Sequence, residues 1–515
     1  MSFLNKMNDV LENEFNVSVT ENGALGFRTT GKDLLDLSYS VSSLRRMEDA
    51  EVVRRFAKAF RKNKYLSIKW LFFASDVREG QGERRLLRLI TRYLAGSESA
   101  VMRAILPLLP EYTRWDNVVE LVDSEIAADA LQMIADQLKS DLCDMEEKKS
   151  ISLLAKWLPS NNASSARSRA LAHIVSEHLS MTNAEYRKTL VKLRAYIDLV
   201  EVKMSARRFG EINYETVPSR ANVIYRNAFL RNDETRRRKF LEALKSGNAK
   251  INAGVLYPHD IVYRYFHPQN RYMVVNEDAT LEELWRALPD YVNGAANTLC
   301  VADGSGSMFA PVDWGVSTSA ISVAIALAIY FSERTTGEFK DKYISFSNDP
   351  QLVDLSPAKS LHDKIEIART HCEVATTDIE AVFDLVLLTA IKFKMKQEEL
   401  PKNILILSDM EFNNAATVRS TGSALARLFD VMRDRYRDAG YKLPRLVFWN
   451  IAGRTITVPM RENECGLALV SGFSPTTMRM VLSEKLDPYE CLLEQLMAPR
   501  YNAVDEAIRA AGLKL

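Results

Sequence analysis

Long apolar runs are missing from this 515-residue chain. None approaches the ~20 consecutive residues that cross a bilayer, which argues against a transmembrane helix. The opening stretch, MSFLNKMNDVLENEF, carries acidic residues and no apolar core, so it does not read as a secretory signal. A cytoplasmic protein is therefore expected. Cysteine is scarce: Cys143, Cys300, Cys372, Cys465 and Cys491 are odd in number and never form a CxxC pair. That spacing excludes a disulfide framework and a zinc knuckle, and buried reduced thiols are expected. The six histidines form no HExxH, and no GxxxxGK[ST] loop is present. Net charge is nearly absent too, at +1. It is unevenly placed, however: residues 151–250 hold 19 Lys and Arg against 9 Asp and Glu, so the rest of the chain is acidic. Such a local excess under a neutral total matters for polyanion binding.

What is present is ordinary globular material, 47% hydrophobic and 26% charged. The length exceeds what one hydrophobic core supports, so two or more domains are expected. Residues 1–290 read as successive helices. ERRLLRLITRYLA, AADALQMIADQLKSDL and AEYRKTLVKLRAYIDLVEVKM repeat apolar residues at helical spacing, with short breaks such as REGQGE and LPSNNASS between helices. A solenoid-like helical array suits that texture, although no sequence period is visible.

Near residue 290 the texture changes, and residues 291–515 alternate strands with helices. Strands are predicted at 297–303, 343–347, 351–355, 403–409, 445–452 and 467–471. Helices are predicted at 316–334, 378–396, 416–438, 474–485 and 488–512. Continuous Val/Ile/Leu strands interleaved with helices predict a doubly wound, mostly parallel sheet. The fold class is thus α + α/β.

Ligands of open α/β sheets bind where strands end. Three oxygen-rich loops fall at such ends: Asp303-Gly304-Ser305-Gly306-Ser307, Thr376-Thr377-Asp378, and Ser408-Asp409-Met410-Glu411. Carboxylates, hydroxyls and water are what Mg²⁺ prefers, and Mn²⁺ or Ca²⁺ accepts the same donors. Few carboxylates among neutral oxygens leave the ion able to accept one more oxyanion from a partner. The competing reading is a set of turn and capping residues without metal.

The basic excess has its own pattern. On a helix over 186–208, Tyr186, Leu190, Leu193, Ile197, Val200 and Met204 form one stripe, with Lys188, Lys192 and Lys203 opposite and Arg187 and Arg194 flanking. Arg207, Arg208, Arg220, Arg236, Arg237 and Arg238 follow, interleaved with Tyr214, Tyr225 and Phe229. Cations beside aromatic rings suit unpaired RNA. Exposed helix faces are also commonly Lys/Arg-rich, and their aromatics commonly core. The loop Arg78–Arg84 either faces a ligand or caps the next helix, and Trp115 with Asp116 reads as a packing and capping pair.

D-x-S-x-S, a downstream Thr and a later Asp together resemble the metal-ion-dependent adhesion site of von Willebrand A domains. The resemblance implies Ser305, Ser307 and Thr377 as direct ligands, with Asp303 and Asp409 bonding directly or through water. Thr376 competes with Thr377, which immediately precedes Asp378. A helical half ahead of such a domain resembles the Ro autoantigen (TROVE) architecture, a helical-repeat, HEAT-like ring that binds small non-coding and misfolded RNA. Closer still is a TROVE-like family of unknown function found in bacteria, phages and plants. ASDVREGQGERR, PEYTRWDNVVEL, LAKWLPS, MTNAEYRKTLVKLR, DGSGSM and ILSDMEF carry that likeness over nearly the whole chain. It implies a non-catalytic ribonucleoprotein scaffold with structured or small RNA as partner. The alternative is an adaptor whose metal grips a partner carboxylate without RNA. A metal-dependent hydrolase is the third reading, and only Glu411 offers itself as its base.

Overall fold

The structure is a computed structural model. It describes residues 16–19, 25–266, 274–293, 297–312, 318–346, 349–372, 378–410, 432–453, 467–474, 477, 480, 485 and 487–514. A helical N-terminal region precedes a six-stranded, mostly parallel sheet with helices. No helix among the described residues is long and apolar enough to cross a membrane.

Two compact units divide the chain, and they do not follow the change of texture at 290. One comprises residues 1–62 and 253–496; the other comprises 63–252 and 497–515. In the first, the strand order is β5-β4-β3-β6-β7-β8. The strands are β3 (Thr298–Asp303), β4 (Lys342–Phe346), β5 (Gln351–Asp354), β6 (Asn403–Ser408), β7 (Arg445–Asn450) and β8 (Leu467–Ser471). A separate antiparallel pair, β1 (Val17–Val19) and β2 (Leu25–Phe27), lies nearer the N-terminus. Only the β4–β5 pairing of the large sheet is antiparallel. Every residue of β3 is buried, as are five of the six in β6 and in β7, which explains their near-continuous apolar sequence. Helix Ala320–Arg334, buried from Ala320 to Ser332, packs on β3, β4 and β6.

The N-terminal helices join this unit through hydrogen bonds as well as apolar packing. Ser42 in helix Val41–Leu44 donates its hydroxyl to the Asn450 carbonyl (2.9 Å) and its N–H to Ser471 Oγ (3.1 Å). Gly472 N–H donates back to Ser42 Oγ (3.1 Å). One side chain thereby satisfies polar groups where β7 and β8 end.

In the second unit, helix Lys64–Ser75 starts at Asn63, whose side chain accepts the Leu66 N–H, and it is buried from Leu66 to Ser75. The loop after it is structural. Gln81 N–H donates to the Phe73 carbonyl, Gly82 N–H to Asp76 and Glu83 N–H to Ala74. Gly80 packs so closely that a Cβ would lie 2.0 Å from the Phe73 oxygen. The C-terminal helix Asn502–Ala510 completes the unit: Asp505 pairs with buried Lys69 (3.0 Å), and Arg500 with fully buried Asp76 (2.9 Å). The helix expected over 488–512 is thus two, Pro488–Leu496 and Asn502–Ala510, and the unit boundary falls between them. Asp116 accepts from Arg88 and Arg114, while Trp115 is buried. Cys300 and Cys491 are buried and Cys372 nearly so, whereas Cys143, expected inside, is exposed; Cys465 lies outside the described residues.

Candidate metal centre and basic surface

β3 has β4 on one side and β6 on the other, so the order of the strands reverses at β3 and β6, where ligands of open α/β sheets bind at the C-terminal ends. Their parallel register pairs Ala302 with Leu407, which places Asp303 beside Ser408. The Ser408 hydroxyl donates to Asp303 Oδ2 at 2.6 Å and accepts the Met410 N–H at 3.0 Å. Met410 holds φ +63°, a bend that turns the chain sharply after β6. Asp303 Oδ1 accepts the Ser305 N–H at 2.9 Å, and Ser305 Oγ lies 3.1 Å from Ser307 Oγ. Asp303 is fully buried, Ser305 and Asp409 nearly so, and Ser307 half-buried.

Electrostatics mark this cluster. The Asp303 carboxyl is pushed up to about 7, first by burial and then by the charge of Asp409; hydrogen bonds from Ser408 and Ser305 only partly offset this. Two carboxylates sharing a dry pocket call for a proton or a cation. The donor set, two carboxylates with neutral hydroxyls, is of the kind a small hard cation takes. Among the described residues no group of three His, Cys, Asp or Glu side chains could hold a metal ion.

The end of β4 and residues 371–372 lie against the loop that follows β3. Gly304 N–H donates to the Phe346 carbonyl (3.0 Å), and Ser345 Oγ donates to the His371 carbonyl (2.7 Å). A Cβ on Gly304 would lie 3.1 Å from Ser345 Oγ and 3.4 Å from the Cys372 Cα. His371 and Cys372 therefore run directly against the Asp303–Ser307 loop. Thr376 and Thr377 lie outside the described residues, as does Glu411. Asp378 is exposed and its carboxylate accepts the Ala381 N–H, capping the helix that follows. Ser345 is a positioning residue that sequence reasoning missed; Ser408 was named only within its loop, without its hydrogen bond to Asp303. A hydroxyl immediately before a strand-end acid is the only signal Ser408 carries.

The basic residues divide into two groups. Arg194 is half-buried and donates to the Ala155 and Leu158 carbonyls and to Ser160 Oγ. Lys203 bonds Asp198 and the Glu211 carbonyl. Arg236 bonds Asp233 and the Phe209 and Ile212 carbonyls. Arg237, expected on an exposed track, is fully buried: its guanidinium stacks on Tyr214, Phe229 and Phe240 at 4.8–5.3 Å and donates to Asn222. Those aromatics form core with Val200, Ile212 and Val217, and Tyr225 packs against them, so they are not open stacking platforms. Arg208 pairs with Glu211 and Arg238 with Glu234.

Arg187, Lys188, Lys192, Arg207 and Arg220 are exposed, as are the ion-paired Arg208, Arg236 and Arg238. The first three share the outer side of helix Asn183–Tyr196, which starts in a Thr182–Glu185 capping box. The single helix expected over 186–208 is broken at Asp198, where φ is +59°, and resumes at Val200–Ser205.

Residues 126–293 match a family described as Domain of unknown function (DUF2828), and residues 297–500 one described as Domain of unknown function (DUF7788). The junction between the two matches falls just before β3. An uncharacterized protein of Acanthamoeba polyphaga mimivirus is 28% identical over 521 residues, covering 93% of this chain and 87% of that protein.

Proposed function

We propose that this chain is a non-catalytic binding protein that holds a divalent cation, Mg²⁺ or else Mn²⁺ or Ca²⁺, at the ends of β3 and β6. Asp303, Ser305, Ser307, Thr377 and Asp409 would hold it, in the manner of a von Willebrand A adhesion site. The ion would carry an open position for a carboxylate or phosphate oxygen of a partner. The observation that carries this reading is the meeting of Asp303, Ser305, Ser307 and Ser408 within hydrogen-bond reach, with Asp409 close enough to raise Asp303. Binding is favoured over hydrolysis because both carboxylates are engaged as neighbours of the ion. Calorimetric titration with MgCl₂ tests it. Wild type binds, and the double variant Asp303→Ala, Ser305→Ala does not; equal heats from both refute the site.

A second reading, RNA contact by the helical unit, is supported by Arg187, Lys188 and Lys192 on one exposed helix side and by the TROVE-like resemblance. Three phosphate contacts to a single strand give a log–log salt slope of roughly −2. A mobility-shift series over salt reads it directly. A Lys188→Glu, Lys192→Glu variant that shifts RNA like wild type removes this reading.

A further inference from the structure

Lys69 lies on helix Lys64–Ser75 of the helical unit and is 1% exposed, so its ammonium depends on the groups around it. Asp505 Oδ2 accepts from Nζ at 3.0 Å, and Tyr65 Oη accepts at 3.2 Å. An ammonium carries three N–H donors, and the third contact is to sulfur: Met497 Sδ lies 3.6 Å from Lys69 Nζ. The Tyr65 hydroxyl donates to Asp505 Oδ1 at 2.8 Å and lies 3.8 Å from the same sulfur. Two strong donors therefore face a thioether, which is a weak acceptor. All four residues belong to one compact unit.

Met497 is also the residue of this cluster that solvent reaches. It is 47% exposed, and no other methionine among the described residues is exposed. Oxidation of methionine follows exposure, so a small oxidant meets this thioether first. An exposed methionine alone would be unremarked; one backed by a buried cation and a phenol has a place for the oxygen it would gain.

We propose that Met497 is a reversible oxidation site whose sulfoxide is received by Lys69 and Tyr65. The oxidant is hydrogen peroxide. A sulfur lone pair forms the S–O bond as the O–O bond breaks, and the transferred oxygen passes its proton to the departing hydroxide, which leaves as water. Sulfur is oxidised and the peroxide reduced. The unbranched side chain turns freely, so the new oxygen can face both donors at ordinary hydrogen-bond length, ~2.7–3.2 Å. A polar oxygen on an ammonium is a far stronger contact than a thioether. Sulfoxidation usually loosens packing. Here it fastens Met497 and helix Asn502–Ala510 to helix Lys64–Ser75, and methionine sulfoxide reductases would undo it.

Limited hydrogen peroxide treatment of the full chain, read by peptide mass mapping and amide hydrogen exchange, tests this. Met497 gains oxygen before every other described methionine, and exchange in helix Asn502–Ala510 then slows roughly 5–30-fold. Met497→Leu shows no slowing under the same treatment. Tyr65→Phe keeps the Lys69–Asp505 pair and shows a smaller slowing than wild type. Another described methionine oxidised ahead of Met497 overturns the proposal. So does unchanged or faster exchange in the oxidised wild type, an equal slowing in Met497→Leu, or an undiminished one in Tyr65→Phe.

Discussion

Asp303 gives the most direct handle on the proposed metal centre, because its protonation and cation binding would compete for one site. Its carboxyl rises from an ordinary 3.8 to about 7 in the fold, through burial and the charge of Asp409. A raised folded-state value means that the folded chain holds this proton more tightly than the unfolded chain does. The stabilisation is complete below pH ~4 and is lost as pH climbs towards 7. At ~1.4 kcal/mol per pH unit, ionising Asp303 costs the fold on the order of 4 kcal/mol. A cation at one hundred times its dissociation constant returns ~2.7 kcal/mol. Thermal unfolding at pH 5 and pH 8, with and without Mg²⁺, separates the two effects. Without metal the sheet-containing transition falls by roughly 5–10 °C between these pH values. Saturating Mg²⁺ recovers most of that at pH 8 and little at pH 5. Asp303→Asn removes the carboxylate, flattens the pH response and abolishes the Mg²⁺ response. A wild-type midpoint that moves equally with Mg²⁺ at both pH values would refute the reasoning, since no proton would then be displaced.

Gly304→Val drives a branched side chain into Ser345 Oγ and the Cys372 backbone, costing ~1–3 kcal/mol and weakening Mg²⁺ stabilisation; thermal shift reads both. Arg237→Ala removes a guanidinium stacked on three rings and lowers stability by roughly 3 kcal/mol in urea melts, while Lys188→Glu with Lys192→Glu leaves the melt unchanged. Asp505→Ala strands Lys69, which is 1% exposed, and destabilises the helical unit by ~3 kcal/mol or more; Asp505→Asn, which keeps a hydrogen-bond acceptor for the ammonium, costs less.

The strands of the sheet were legible because burial on both faces demands unbroken apolar runs, and NTLCVAD, NILILSD and RLVFWNIA have little else they can be. The D-x-S-x-S loop stood out as a candidate because its oxygen donors cluster directly after such a strand, although the same residue types also serve turns. Thr377 was a candidate on another ground, its place just before Asp378 at a helix start, and its position lies outside the described residues. What the sequence could not convey was the choice of partner between elements that pattern alike. Ser42 reads as one more serine in an early helix, yet its hydroxyl and N–H satisfy groups on β7 and β8 more than four hundred residues away. Asp505 and Arg500 sit on what reads as a terminal helix, and only their buried partners Lys69 and Asp76 fix them to the helical unit.

Charge was the least legible quantity, and the reason is physical. An arginine contributes a full positive charge to a sequence count whether its guanidinium lies in water or between rings. Arg237 and Arg238 are adjacent and chemically identical, but helix geometry turns neighbours about 100° apart, so one enters the core and the other meets solvent. Entry is tolerable because Tyr214, Phe229 and Phe240, widely spaced in sequence, converge on that side and offer π-faces in place of water. A nucleic-acid surface must therefore be counted from exposed cations only. By that count Arg194, Lys203 and Arg237 drop out, and Arg208, Arg236 and Arg238, though exposed, are held in ion pairs, which leaves Arg187, Lys188 and Lys192 on helix Asn183–Tyr196, with Arg207 and Arg220 beyond it. Three to five phosphate contacts give modest, strongly salt-dependent affinity. The carboxylate pair at β3 and β6 thus remains the more demanding site, because an unneutralised charge buried there costs far more than a solvated lysine left without a phosphate.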